Sequence, residues 1–167
     1  FVQKLWNVQQ FIGPALEKAP EGYRETKPTY VLDLWIMDKL SALIESSRGH
    51  YDEFDFAPVM REVEYFVWHE LADHYLEIVK SRIYSPGDRA AAYTLYTIGL
   101  GITKMLGPFL PHITEEVYQS RYSKAEGCKS VHVSPWPSTL DIEAEPGGPG
   151  ELVRDLTAAV RRHKSDT

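Results

Sequence analysis

An all-α, up-and-down helical bundle is the fold that this 167-residue chain predicts. Apolar residues recur at helical spacing through several long segments in succession. Short stretches holding Gly and Pro separate these segments, so that consecutive helices become antiparallel neighbours. Only SVHV, 130–133, offers a strand, and a C-terminal helical tail completes the expected architecture.

Residues 1–18 read as the first helix, with Val2, Leu5, Trp6, Phe11 and Ile12 on one stripe. APEGYRETKP, 19–28, is a Pro/Gly-bounded loop. A second helix runs from about 30 to 48 on Leu32, Trp35, Ile36, Leu40, Leu43 and Ile44. Asp33 stands in its first turn, where a carboxylate caps the helix or complements its dipole. Gly49 punctuates, and a third helix follows near 57–83, with Pro58 tolerated at its start.

That third helix places Phe66, Val67, Leu71, Tyr75, Ile78 and Val79 on one face and His69, Glu70, Asp73, His74 and Glu77 between them. The histidines could suggest a zinc-protease helix, but they are five apart rather than four. At 3.6 residues per turn that leaves them roughly 140° out of alignment, so packing and surface roles are expected instead.

SPGD, 85–88, is a turn from which Asp88 can cap a fourth helix, 89–106. Ala90 to Ala92, Gly99 and Gly101 permit close helix approach there. Gly107-Pro108 breaks it, and Pro111 starts a short fifth helix. The expected organisation is a bundle over 1–138, a Pro/Gly-rich linker over 139–150 and the start of a helical extension over 151–167. Both ends are expected to continue into a longer protein, since the chain opens and closes inside apolar-periodic segments.

The net charge of −6 argues against a general nucleic-acid-binding module, which works by neutralising phosphates. The charge is uneven, however: residues 51–85 carry eight acids and three bases, 86–138 four acids and five bases. A shaped, selective RNA contact remains open. No segment is long and apolar enough to span a membrane, and no secretory leader is recognisable. The single cysteine, Cys128, excludes an internal disulfide and fits a reducing, cytoplasmic setting. No nucleophile–base–acid set and no phosphate-cradling Gly loop is present, so these residues are expected to catalyse nothing and to hold no cofactor or metal.

Several segments, in order, resemble the anticodon-binding domain of the class I aminoacyl-tRNA synthetases for branched aliphatic amino acids. KLWNVQQF, 4–11, resembles its opening helix, and DLWIMDKL, 33–40, its D-x-W-I-x-x-x-L helix. LGPFLPHITEEVYQ, 106–119, resembles the signature in which a Pro-Phe and a second Pro precede paired glutamates. SVHVSPWP, 130–137, resembles the short strand and Trp-Pro that follow. WHELADHYLEIVKSRIY, 68–84, is most similar to valyl enzymes of archaeal type, with isoleucyl and leucyl enzymes as alternatives. A helical protein-interaction module without an RNA role is the alternative from another class.

The resemblance implies a parent enzyme that uses ATP and Mg²⁺ to ligate valine to its tRNA through catalytic and editing domains absent from these residues. It implies that this piece holds the anticodon stem-loop beside the parent's other domains. RNA loops are read by stacking and by hydrogen bonds to splayed bases. Lys4, Asn7 and Gln10 project from the polar side of the first helix, Asn7 as a base-edge reader and Lys4 as a phosphate ligand. Gln10 replaces the Arg that relatives often carry. Arg121 and Lys124, with Lys129, form a second basic cluster, and Arg161, Arg162 and Lys164 a third. Trp6, Trp35 and Trp68 are expected in the core, Trp136 as a cap on one bundle end, and Glu115 and Glu116 as complements to their helix dipole.

Overall fold

The computed structural model describes residues 1–83, 88–139 and 148–165, apart from the side chains of Arg161, Lys164 and Ser165. Helices α1 (Val2–Glu17), α2 (Val31–Asp52), α3 (Phe56–Tyr65), α4 (Leu76–Ile83), α5 (Arg89–Leu106), α6 (Pro111–Arg121), α7 (Ser123–Glu126) and α8 (Pro149–Ser165) follow one another along the chain. Short 3₁₀ turns lie at Tyr23–Glu25 and Val131–Val133. The all-α bundle read from periodicity is therefore the observed fold. Most of the expected linker, and the Ser85-Pro86-Gly87 part of the expected turn, lie outside the described residues. Helix α8 begins at Pro149, slightly before the expected start of the extension.

Helix α5 is the centre of the bundle. Its residues from Gly101 to Leu106 are buried without a break, and α1, α2 and α6 pack around it. Leu5, Val8 and Ile12 of α1, Ile36, Leu40 and Ile44 of α2, and Leu95, Ile98 and Ile102 of α5 share one continuous apolar core. A smaller cluster of Tyr96, Val117, Tyr118, Tyr122 and Val131 closes the α6 side. The Asp88 cap is present: its carboxylate accepts the Ala91 backbone N–H at 2.9 Å.

Gly99 is needed for close approach. A Cβ there would collide with the Tyr122 hydroxyl, which donates to Gln9 Oε1 at 3.1 Å. Gln9 Nε2 in turn donates to the Gly99 carbonyl and to Thr103 Oγ1, each at 3.1 Å. Gln9 is fully buried, and this chain of bonds satisfies its amide inside the core.

Between α3 and α4 the helix continues through Phe66–Tyr75 as a run of wide i→i+5 turns. Phe66, Val67, Leu71 and Tyr75 are buried, as the apolar pattern requires, but the wide turns change which other residues share a face. The α-helical spacing used to set His69 and His74 apart does not hold here. His69 instead faces Asp73 at 3.3 Å, and no group of three or more metal-ligating side chains occurs among the described residues.

SVHV is not a strand. Ser130 is extended, but Val131–Val133 forms a 3₁₀ turn. Among the described residues no strand is at hand to accept the Val131 N–H, and the Glu115 carboxylate takes it at 3.0 Å while accepting the Ser130 hydroxyl at 2.9 Å. Ser130 Oγ then accepts the His132 N–H at 3.2 Å. Glu115 thus anchors the next segment rather than complementing its own helix. Burial works against its charge, but the hydrogen bonds from Gln119, Ser130 and Val131 hold its carboxyl below the usual range.

Candidate nucleic-acid interface

Asn7 and Gln10 are exposed on α1, and Lys4 is half-buried one turn before Asn7. Lys4 reaches α1's neighbour in the wide-turn segment, where its Nζ stands 4.5 Å from the centroid of the Trp68 ring. A cation held over an indole is attracted by the ring's quadrupole and keeps its charge near solvent. Asn7 Oδ1 accepts from Gln3 Nε2 at 3.1 Å, which orients the amide and keeps its N–H₂ group for another acceptor.

Trp68 is not a core residue: it is 38% exposed. At α spacing it falls on the face of Leu71 and Tyr75, but the wide turns take more residues per revolution and carry it off that face. Tyr75 is fully buried while Trp68 meets solvent beside Lys4. Tyr65 is 59% exposed one turn earlier, with its ring centroid 4.9 Å from that of His69. Sequence reasoning missed Tyr65 and Trp68 as surface aromatics because the apolar pattern reads the same for α and wide-turn helices. Trp35 is buried, as expected, whereas Trp6 is only half-buried, packed against the smaller cluster of tyrosines. Trp136 does close one end of the bundle, edge-on to Tyr51 with centroids 4.9 Å apart.

The expected basic clusters separate. The Arg121 guanidinium fills the notch left by Gly13 of α1, where a Cβ would stand 2.6 Å from its Nε. Gly13 lies one turn beyond Gln10, so Arg121 borders the α1 surface. Lys124 and Lys129 are exposed farther along. Arg162 is exposed on α8; the side chains of Arg161 and Lys164 lie outside the described residues. Helix α8 itself is fastened to α2 and the wide-turn segment. Gly150 lies against Trp35, Lys39 Nζ bonds Glu151 at 3.0 Å, and Arg154 lies 5.7 Å from the Trp35 ring centroid.

A buried ionic junction holds the frame. Asp33 has no exposed side-chain surface and accepts both Arg82 terminal nitrogens, at 2.7 and 2.8 Å, and the Tyr75 hydroxyl at 2.7 Å. Arg82 Nε also donates to Asp88 Oδ2 at 2.7 Å. The start of α2, the end of α4 and the start of α5 are thereby tied to one guanidinium, in the bidentate geometry that Arg favours. Burial opposes the Asp88 charge, but the hydrogen bonds from Arg82 and the Ala91 N–H hold its carboxyl below the ordinary value. Burial, then the Asp33 charge, push the Tyr75 hydroxyl well up.

An all-α bundle whose first helix offers amides and a cation beside surface aromatics is a surface suited to unpaired nucleic acid. The chain belongs to the family described as the anticodon-binding domain of tRNA ligase, whose sequence model matches residues 33–167. It is similar to the valine–tRNA ligase of Thermococcus kodakarensis, at 38% identity over 99% of this chain. It is also similar to those of Methanosarcina mazei, at 38%, and Pyrococcus furiosus, at 35%, again over 99% of the chain. The chain spans 19% of the length of each of these relatives.

Proposed function

We propose that this chain is the tRNA-reading piece of a valine–tRNA ligase of archaeal type, and that it grips the anticodon stem-loop of a valine tRNA in the cytoplasm. Valine activation with ATP and Mg²⁺, and transfer to the tRNA, belong to other domains of the full-length enzyme. The observation that carries the reading is the α1 surface: Asn7 beside the Lys4–Trp68 pair, on a chain whose relatives are valine–tRNA ligases. An amide next to a cation-backed indole supplies what a splayed base needs, a face to stack on and a donor–acceptor pair for its edge. Arg121, which borders the α1 surface at Gly13, supplies a phosphate contact beside it, with Gln10 as a neutral neighbour; Lys124, Arg161, Arg162 and Lys164 are further phosphate ligands read from the sequence.

The test is binding of the chain to a valine tRNA anticodon stem-loop, an isoleucine stem-loop and a scrambled loop, at low and moderate salt. The valine loop is expected to bind best, and Trp68→Ala to weaken it by about 1–3 kcal/mol, the worth of one stacked base. Preference for the isoleucine loop would reassign the amino acid. Equal binding to all three that disappears with salt would reduce the contact to charge and overturn the reading.

A further inference from the structure

The end of the bundle where α2 and α5 finish carries an aromatic knob. Tyr51 packs there against Phe56, Phe109 and Trp136, with ring centroids 5.5, 5.9 and 4.9 Å away. Phe54 lies outermost, 80% exposed, its ring 6.3 Å from that of Phe56, which is itself 43% exposed. A single apolar residue on a surface is ordinary. Phe54 differs because its backbone is unfavourable as well as its ring.

Phe54 sits just beyond the cap of α2, in the turn that ends the helix. The Asp55 N–H reaches back to the His50 carbonyl at 2.9 Å, and the Phe54 N–H to the Tyr51 carbonyl at 3.1 Å. That pair of bonds needs a left-handed residue between cap and exit, a place usually taken by glycine. Phe54 holds it at φ 59°, the one non-glycine residue of positive φ among the described residues. A Cβ-bearing residue is strained in this conformation, and here its side chain gains little burial in return. A position that opposes folding in both respects points to a role outside the fold.

The surrounding charge says what chemistry the knob meets. Asp52, Glu53 and Asp55 flank it, all exposed, and none has a side-chain hydrogen bond or ion pair among the described residues. The nearby cations are turned elsewhere, Arg48 to the Pro137 carbonyl at 3.5 Å and His50 to Glu62 at 3.4 Å. The C-terminal ends of α2 and α5 meet here, where Tyr51 donates to the Met105 carbonyl at 3.1 Å, and both bring partial negative charge. Such a field repels phosphates, so RNA is a poor occupant. Two copies meeting through the same knob would set three carboxylates against three. A basic protein surface with an apolar notch complements both the rings and the charge.

We propose that Phe54 and Phe56, framed by Asp52, Glu53 and Asp55, dock into a basic-rimmed apolar notch on another domain of the full-length ligase. The chain spans 19% of the length of its relatives, so most of such a polypeptide is on hand to supply that notch. This inference rests on the reading of the chain as one part of a longer valine–tRNA ligase.

The test is hydroxyl-radical footprinting of the full-length enzyme beside the isolated chain, with carbodiimide coupling of carboxylates to lysines. Oxidation of Phe54 is expected to fall about tenfold in the full-length enzyme, as the ring passes from 80% exposure into a packed interface. Carbodiimide is expected to join Asp52, Glu53 or Asp55 to lysines outside the 167 residues. Phe54→Gly should raise Tm of the isolated chain by about 2–4 °C by relieving the left-handed strain, yet remove that coupling in the full-length enzyme. A purely structural Phe54 would lower Tm instead, and that result would overturn the proposal. Equal oxidation of Phe54 in both samples, or coupling confined to the 167 residues, would do the same. Protection that comes only at high chain concentration, or only with added tRNA, would give the knob to a second copy or to RNA and likewise overturn it. Stem-loop binding by the isolated chain keeps the two readings apart, since Phe54→Gly should leave it unchanged. Selective stem-loop binding with an unprotected Phe54 overturns only the docking knob. A protected Phe54 in an enzyme whose isolated chain ignores every stem-loop supports the knob and overturns the anticodon reading.

Discussion

Replacing Asp33 by Asn tests the ionic junction with almost no change of shape. The substitution keeps an oxygen for the Tyr75 hydroxyl but removes the charge that Arg82 meets at 2.7 and 2.8 Å. Removing one partner of a fully buried pair costs about 3–5 kcal/mol. Arg82 is 20% exposed and still holds Asp88, so its orphaned charge is partly met, and about 2–3 kcal/mol is the better expectation here. For a chain of this size each kcal/mol moves Tm by about 2–4 °C, which puts the loss near 5–10 °C. Arg82→Ala should cost more, because it strands a wholly buried carboxylate. The double variant should cost clearly less than the sum of the two. Thermal and urea unfolding followed by circular dichroism at neutral pH measures all three. The reasoning is refuted if Asp33→Asn melts within about 1 °C of the parent, or if the two costs simply add. The acid side offers a further check. The Asp88 carboxyl is held below its ordinary value of 3.8, so its contribution is present above that pH and disappears as pH falls through the lowered value. Arg82→Ala should remove that part of the acid sensitivity.

Gly99→Ala should destabilise the bundle by about 1–3 kcal/mol through overpacking, because the new methyl displaces the Tyr122 hydroxyl from Gln9; urea unfolding reads the loss, and an unchanged midpoint would show that the helices part without cost. Burial pushes the Tyr51 hydroxyl from 10.0 up to about 12, where it donates to the Met105 carbonyl at 3.1 Å. A group with a raised folded value stabilises fully below its unfolded value, so stability should fall as pH climbs from 10.0 through about 12. The absorbance difference between the parent and Tyr51→Phe should then show a tyrosinate step near pH 12; a step at 10 would contradict the burial argument.

Much of the bundle was legible because its signals are local. Asp88 followed by an apolar-periodic run marks both the cap and the extent of α5, and the structure agrees with both. Gly107-Pro108 and Pro111 likewise punctuate where α5 gives way to α6. What escaped depends on partners distant in sequence. Asp33 reads locally as a first-turn carboxylate, yet its partners lie at Tyr75 and Arg82, forty or more residues on. SVHV has β-branched residues suited to a strand, but a strand needs a neighbour, and Glu115 offered the Val131 N–H another acceptor. Trp68 was placed in the core by a period of 3.6 residues that its segment does not keep. Asn7, Gln10 and Lys4 fell on the expected surface, because simple amphipathicity decides which side of α1 is wet.

The wide-turn segment also sets the phase between the two halves of its helix. Upstream of it, Val59 and Val63 turn into the core; downstream, Val79 does the same while Arg82 must arrive opposite Asp33. A regular α-helix over the same residues would deliver Arg82 at a different azimuth and strip the guanidinium of its carboxylates. Losing a single residue within Phe66–Tyr75 would let the winding relax to the tighter α form, at a gain in local helix energy and a loss of everything timed to that phase. The tolerance of this helix to length change is thus much lower than its exposed, charged face suggests. An alignment of its relatives should place gaps in the loops on either side and leave this stretch at constant length.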